Sequence, residues 1–280
     1  MEKIKTAIII LLLATHISSA QYAYAAKLNT TKIKKVVLEG NEHYKDSRIS
    51  KLMITRKSGI FKKRLFYERN ADEDIRRIEY FYENNGYLDV ATSYEVRIKE
   101  HKKKKLAFIE FTITEGKIYK TAKLVFTGNV NFSDDQLRKH CRLAIGEPFS
   151  KNKLDKAVAS LLAFYANIGF IEADIQTDLK IDRENLIVEI SIYIDENRKY
   201  RIADTLISGN SKTRPNVINR ELLFSNGEII NASKLLDARK KLYLTGLFSD
   251  VQVKPVLPEN EIIDSKDILI ELKEKMSVEL

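Results

Sequence analysis

Apolar residues or threonine alternate with polar ones from Ile171 to Ile181. Ile171, Ala173, Ile175, Thr177, Leu179 and Ile181 are separated by Glu172, Asp174, Gln176, Asp178 and Lys180. A period of two places the two sets on opposite faces, which predicts a half-buried strand. Asp182 to Asn185 turns the chain, and Leu186, Val188, Ile190, Ile192 and Ile194 form a partner strand. Upstream the period lengthens. Leu154, Ala157, Leu161, Phe164, Tyr165 and Ile168 recur at three- and four-residue spacing, one face of a helix that Ser150 can cap. Gly169 suits the left-handed position just past its end. Ser133 to Gln136 has the form of a capping box, so a shorter helix starts there. Ala122 to Thr127 reads as a first strand. The order is β-α-α-β-β.

This unit occurs three times. A Gly-Asn pair recurs at Gly40-Asn41, Gly128-Asn129 and Gly209-Asn210, each after an apolar run. A second glycine follows at Gly59, Gly146 and Gly227, and a third closes a helical stretch at Gly86, Gly169 and Gly246. Glu115, Tyr119, Ala122, Gly128 and Asn129 reappear in register as Glu196, Tyr200, Ala203, Gly209 and Asn210. In the first unit, Asn70 with Glu73 is expected to cap a helix through Ile75, Ile78, Phe81 and Tyr82. In the third, Leu235, Ala238 and Leu242 match Leu154, Ala157 and Leu161, in a helix about one turn shorter. Repeats of this length are small domains, since solenoid repeats run to about 20–50 residues. One apolar face per sheet puts both helices on one side. Tracing strand direction makes the first and last strands parallel and the last two antiparallel. The predicted class is α+β: three tandem domains, each a three-stranded mixed sheet with two helices on one face. Their expected bounds are 32–116, 117–197 and 198–276.

The first 25 residues differ from the rest. Lys3 and Lys5 precede the apolar run Ala7 to Ala14, and small residues follow at Ser18-Ser19-Ala20 and Ala23-Tyr24-Ala25. This is the form of a secretory signal peptide, cut after Ala20 or Ala25. The apolar run is shorter than the roughly 20 residues of a membrane span.

Composition narrows the chemistry. Of 280 residues, 48 are Lys or Arg and 39 Asp or Glu, a net charge of +9. Cys141 is the only cysteine, which excludes an intramolecular disulfide and a zinc site built on several cysteines. His140-Cys141 are adjacent, and neighbours on a helix do not face one another. Asp72-Glu73-Asp74 and Asp134-Asp135 are read as first-turn carboxylates, favourable beside a helix N-terminus. No phosphate loop, HExxH or GxSxG is present. No enzyme is expected, and no cofactor or metal. The charge run Lys102, Lys103, Lys104 and Lys105 falls between two alternating strands, a hairpin loop that could contact an anionic surface. Nucleic acid is not expected as a partner of an exported chain.

The unit resembles a POTRA domain, the polypeptide-transport-associated module. The motifs that carry the resemblance are Val125-Phe126-Thr127-Gly128-Asn129, Gly146-Glu147-Pro148-Phe149-Ser150, Phe164-Tyr165 with Gly169-Phe170, and Ile194-Asp195-Glu196. Three such units after a signal peptide are similar to the outer-membrane assembly factors of the BamA and TamA family. The resemblance implies a periplasmic scaffold at the outer membrane of a Gram-negative envelope. It implies binding of unfolded outer-membrane proteins and accessory assembly lipoproteins by β-augmentation, with attachment through a C-terminal barrel that this chain does not contain. The third unit reads as barrel-proximal, which favours a piece of a longer protein. The alternatives are the POTRA region of a two-partner-secretion or other envelope transporter, or a periplasmic polyanion- or lipid-binding protein.

The strand after the third glycine of each unit is expected at a sheet edge. In the third unit Pro255 interrupts it, and in the first Arg97 and the lysine loop crowd its end with like charge. The longest unbroken edge is expected in the second unit, from Phe170 to Lys180. The binding residues are taken as Phe170, Ile171, Glu172, Ala173, Asp174, Ile175, Gln176, Thr177 and Asp178.

Overall fold

The computed structural model describes residues 31–101, 104–258 and 264–275. The predicted signal peptide and Lys102 and Lys103 lie outside the described residues. The first domain runs β1 (Lys32–Glu39), α1 (Asp46–Ile49), α2 (Glu68–Glu83), β2 (Ala91–His101) and β3 (Lys104–Thr114). The second runs β4 (Lys120–Thr127), α3 (Asp134–Cys141), α4 (Lys151–Asn167), β5 (Asp174–Asp182) and β6 (Ile187–Asp195). The third runs β7 (Arg201–Ser208), α5 (Pro215–Asn219), α6 (Ala232–Leu244), β8 (Phe248–Val256) and β9 (Ser265–Glu274). The three-fold β-α-α-β-β reading is therefore correct.

Each sheet has three strands, ordered β1-β3-β2, β4-β6-β5 and β7-β9-β8. The last strand of each domain is its central strand. β1 runs parallel to β3 and β7 parallel to β9, while β2–β3, β5–β6 and β8–β9 are antiparallel. Central position explains why alternation is cleanest there: Val188, Ile190, Ile192 and Ile194 of β6 are all buried. On β5, at the edge, burial fades along the strand. Ile175 is buried, Thr177 is exposed, and Ile181 is 41% exposed.

Helix faces close the cores. Leu154, Ala157, Leu161 and Tyr165 of α4 are buried, as are Leu235, Ala238 and Leu242 of α6. α6 has 13 residues against 17 in α4, the expected loss of one turn. Ser133 forms the predicted capping box with Gln136 at the start of α3.

Three local expectations were wrong. α2 begins at Glu68 after Tyr67, so Asn70 is inside the helix and does not cap it. Asp72, Glu73 and Asp74 therefore lie beyond the first turn. Asp74 is wholly buried, and its two carboxyl oxygens accept the N–H groups of Ile54 at 2.5 Å and Thr55 at 2.7 Å. It anchors the loop ahead of α2, an interaction of groups about 20 residues apart that helix position could not show.

The second error concerns Gly59. Gly146 donates to the carbonyl of Thr121 and Gly227 to that of Ile202, but in the first domain the matching donor, to Ile33, is Ser58. Ser58 is also 18 residues past Gly40, the spacing of Gly128 to Gly146 and Gly209 to Gly227. Gly59 begins an insertion.

The third concerns the edge of the second domain. β5 begins at Asp174, so Phe170, Ile171, Glu172 and Ala173 are not strand residues. It has nine residues, the same as β8 and fewer than the eleven of β2, so it is not the longest edge.

Candidate functional site

The recurring motifs build a clamp in each domain. Gly128 has φ +88°, and a Cβ placed there would lie 2.1 Å from the carbonyl oxygen of Ile194 on the central strand. Only glycine lets the end of the first strand pass that carbonyl. Asn129 Nδ2 then donates to the carbonyl of Phe132 at 2.8 Å and to Asp134 Oδ1 at 3.1 Å, shaping the loop that enters α3. Asn41 makes the same pair of bonds with Tyr44 and Asp46, and Asn210 bonds the carbonyl of Thr213.

A glutamate two residues past the crowded carbonyl holds the loop from the other side. Glu196 accepts from the Asn131 N–H, from Asn131 Nδ2 at 2.5 Å and from the Tyr165 hydroxyl at 2.9 Å. Glu115 accepts from the N–H and ring Nδ1 of His43 and from the Tyr82 hydroxyl at 2.7 Å. Glu274 accepts from Ser211 Oγ and the N–H groups of Lys212 and Thr213. Phe132, Phe164, Tyr165 and Phe170 pack edge to face beside the second clamp. The Gly-Asn and closing-Glu motifs are thus structural.

Burial raises the Glu115 carboxyl, but the hydrogen bonds from His43 and Tyr82 outweigh it, so the group sits below the usual carboxylate range. Burial and the Glu115 bond push the Tyr82 phenol far up, keeping it a donor. A depressed carboxyl contributes stability that is complete above its unfolded value and lost as pH falls through the folded one. The first domain is therefore expected to lose stability below roughly pH 4.5. Glu115→Gln should weaken that dependence and cost about 1–3 kcal/mol at neutral pH. Thermal unfolding followed across acid pH checks both; an unchanged acid slope in the variant contradicts the assignment.

The residues after α4 dock on the third domain. Gly169 accepts from the Tyr200 N–H at 2.9 Å. Glu172 Oε2 accepts from the Tyr200 hydroxyl at 2.6 Å, and Glu172 Oε1 from Lys266 Nζ at 2.5 Å. The lysine and tyrosine bonds hold the Glu172 carboxyl below its ordinary range. Asn197 Nδ2 donates to the Glu172 carbonyl, and Asn167 receives Asn231 Nδ2 and the Ser233 N–H. Ile171 packs against the core of the third domain. Ile171 and Glu172 are therefore joint residues, and Phe170 belongs to the aromatic cluster of the second domain, where the sequence suggested a free edge. No signal within the second unit alone could separate the two roles.

What remains of the candidate edge is β5, paired to β6 without a bulge from Asp174–Asp195 to Asp182–Ile187. The other two edges carry local caps. Glu79 Oε1 accepts the Thr92 N–H on β2, and Arg239 Nε donates to the Val251 carbonyl on β8, where Pro255 also lies. Of the lysine run, Lys104 and Lys105 start β3 opposite His101 and Glu100. Cys141 is buried, and burial pushes its thiol up to about 11, away from nucleophile chemistry. His140 stacks on Phe164 with ring centroids 4.1 Å apart. Among the described residues, no group of three or more His, Cys, Asp or Glu could hold a metal ion.

Comparison with known proteins agrees with this architecture. The family described as POTRA, surface antigen variable number repeat, matches residues 31–116, 119–197 and 200–275. Outer membrane protein assembly factor BamA of Neisseria meningitidis serogroup B is 25% identical over 252 residues, 88% of this chain and 31% of that protein. BamA of Nitratidesulfovibrio vulgaris is 26% identical over 255 residues, 88% and 32% of the two chains. The chain thus spans about a third of the length of these curated relatives. Among solved structures, POTRA domains 3–5 of Haemophilus influenzae BamA superpose with a TM-score of 0.60 at 19% identity, over 87% of this chain and 96% of that one. The chain belongs to the POTRA family: it is three POTRA domains in tandem, a POTRA region of the BamA-family type.

Proposed function

We propose that these domains are the periplasmic scaffold of an outer-membrane protein assembly factor, exported by the N-terminal signal and held at the outer membrane. In this reading they receive unfolded outer-membrane polypeptides and accessory assembly lipoproteins. The relatives' description as outer-membrane assembly factors supports the setting. One structural observation carries the mechanism: each three-stranded sheet ends in an edge strand, with the last strand of the domain inside. An edge exposes a row of backbone N–H and C=O groups that an extended peptide can pair with, whatever its side chains. That tolerance suits a factor with many clients.

The favoured edge is β5, from Asp174 through Asp178 and on to Asp182. It has no proline, glycine or bulge. Gln176 and Thr177 are both exposed and adjacent. In an antiparallel strand, successive residues point their N–H groups to opposite sides. Of Gln176→Pro and Thr177→Pro, one therefore breaks a bond to β6 and destabilises the domain. The other removes a donor from the free side and leaves the fold in place. The folded variant is expected to bind an unfolded outer-membrane polypeptide at least about tenfold more weakly, from the lost bond and the clash of the ring. Fluorescence anisotropy with a labelled peptide measures this; unchanged affinity in the folded variant contradicts the choice of edge.

A further inference from the structure

The insertion in the first domain has a chemistry of its own. In the second and third domains the donor glycine is followed at once by a residue whose carbonyl accepts from the first strand: Glu147 from Thr121 and Glu228 from Ile202. In the first domain the equivalent residues are Ser58 and Arg64, the latter accepting from Ile33, and five residues stand between them. These are Gly59, Ile60, Phe61, Lys62 and Lys63. The excursion is pinned at its base, where Ser58 Oγ donates to the Arg64 carbonyl at 3.1 Å and accepts the Arg64 N–H at 2.9 Å. Its tip is closed by the Gly59 N–H donating to the Lys62 carbonyl at 3.0 Å.

The tip serves no core. Ile60 is 96% exposed and Phe61 is 100% exposed. Two large apolar side chains held wholly in water, side by side, on an insertion absent from the sister domains, mark an interaction surface. The surrounding charge says with what. From Lys51 to Arg64 there are six cationic residues and no acidic one. The loop also stands at a basic end of the sheet. Leu65 bridges Lys32 at the start of β1, and Lys32 is paired with Leu106 of β3, two residues past Lys104. Lys99, opposite Leu106 on β2, is at the same end, with Glu100 as the acidic residue there.

We propose that this loop is a membrane-contact device: Ile60 and Phe61 enter the interfacial layer of an anionic lipid bilayer while Lys57, Lys62 and Lys63 engage its headgroup phosphates. An apolar tip flanked by lysines matches the two attractions of such a surface, apolar burial below the headgroups and charge at their level. An acidic soluble polypeptide would satisfy the lysines but leave the isoleucine and phenylalanine in water. The inference is independent of the peptide-binding edge, which lies in another domain.

The chain has no tryptophan, so Phe61→Trp places a single reporter at the tip. With vesicles of phosphatidylcholine containing about 30% phosphatidylglycerol, its emission is expected to shift to the blue and to be quenched by brominated acyl chains. With phosphatidylcholine alone the shift should be absent. Ile60→Ser with Phe61→Ser, and separately Lys57→Gln, Lys62→Gln and Lys63→Gln together, should each weaken co-sedimentation with the anionic vesicles at least about tenfold. All five side chains are exposed, so circular dichroism and thermal midpoints should not change. The proposal is overturned if the indole stays in a water-like environment on vesicles that sediment the protein. It is also overturned if either multiple variant binds as well as the wild type. Binding to labelled polyglutamate that is lost with the three lysines, and no binding to the vesicles, assigns the loop to an acidic polypeptide instead.

Discussion

Gly128→Ala is expected to cost the second domain about 3–5 kcal/mol, a large fraction of the stability of a domain this size. Two effects combine. The backbone sits at φ +88°, where an L side chain is strained by roughly 1–2 kcal/mol. The new methyl group would also lie 2.1 Å from the Ile194 carbonyl oxygen, a backbone atom of the central strand that cannot swing aside. Relief means separating β4 from β6 at the point where the Glu196 clamp begins. Gly146 supplies the control within the same domain. It has the same φ of +88°, but an added Cβ would meet nothing within 4 Å. Gly146→Ala should therefore cost only about 1 kcal/mol, the conformational part alone. Urea unfolding of both variants separates strain from collision through the midpoint at constant slope. Equal midpoints would show that the close approach is not what requires glycine at position 128.

The second large effect is expected at Asp74. Asp74→Ala leaves the N–H groups of Ile54 and Thr55 without their acceptor, in a place where the carboxyl is fully buried. An unsatisfied buried donor costs about 1–3 kcal/mol, so the pair should cost about 2–6 kcal/mol. Thr55 is itself buried, which leaves little room for water to substitute. Asp72→Ala, on the same helix, removes only an exposed bond from the Tyr94 hydroxyl at 3.1 Å and should cost less than about 1 kcal/mol. Denaturation midpoints of the two variants decide the matter; similar losses would mean that Asp74 acts merely as a helix residue. Slowed amide exchange at Ile54 and Thr55 in the wild type, lost in Asp74→Ala, gives a local readout.

These two cases show what the chain reveals of itself. Periodicity exposed the helices and strands because it reports which face is buried, and the faces of α4, α6 and β6 follow it closely. Repetition exposed the clamp residues, since the same Gly, Asn and Glu recur at fixed spacing. Their purpose was not legible, because it rests on the approach of one backbone to another across the sheet. Asp74 was misread for the same reason: its partners precede it by about one helix length and belong to an irregular loop. Gly59 was misplaced because a shared letter outweighed an inserted segment, and only the bonds to Ile33 distinguish Ser58 as the equivalent. The candidate edge suffered from a further limit. Alternation from Ile171 onward looked like one strand, but Ile171 and Glu172 are spent on the third domain before β5 begins at Asp174. Sequence spacing carries no information about which neighbour claims a side chain.

The position of the last strand also has a kinetic side. In every domain the strand made last is the one between the other two, so β1 and β2, or β4 and β5, have no sheet partner until it arrives. The clamp glutamate comes later still, at or just past the end of that strand. As the chain emerges end-first from a narrow exit, a domain of this topology gains its helices early but cannot close until some eighty residues have cleared. Non-local pairing of this kind makes closure slow relative to helix formation. Each domain thus spends its synthesis as an open chain and then closes with its last strand, one domain after another from the N-terminus.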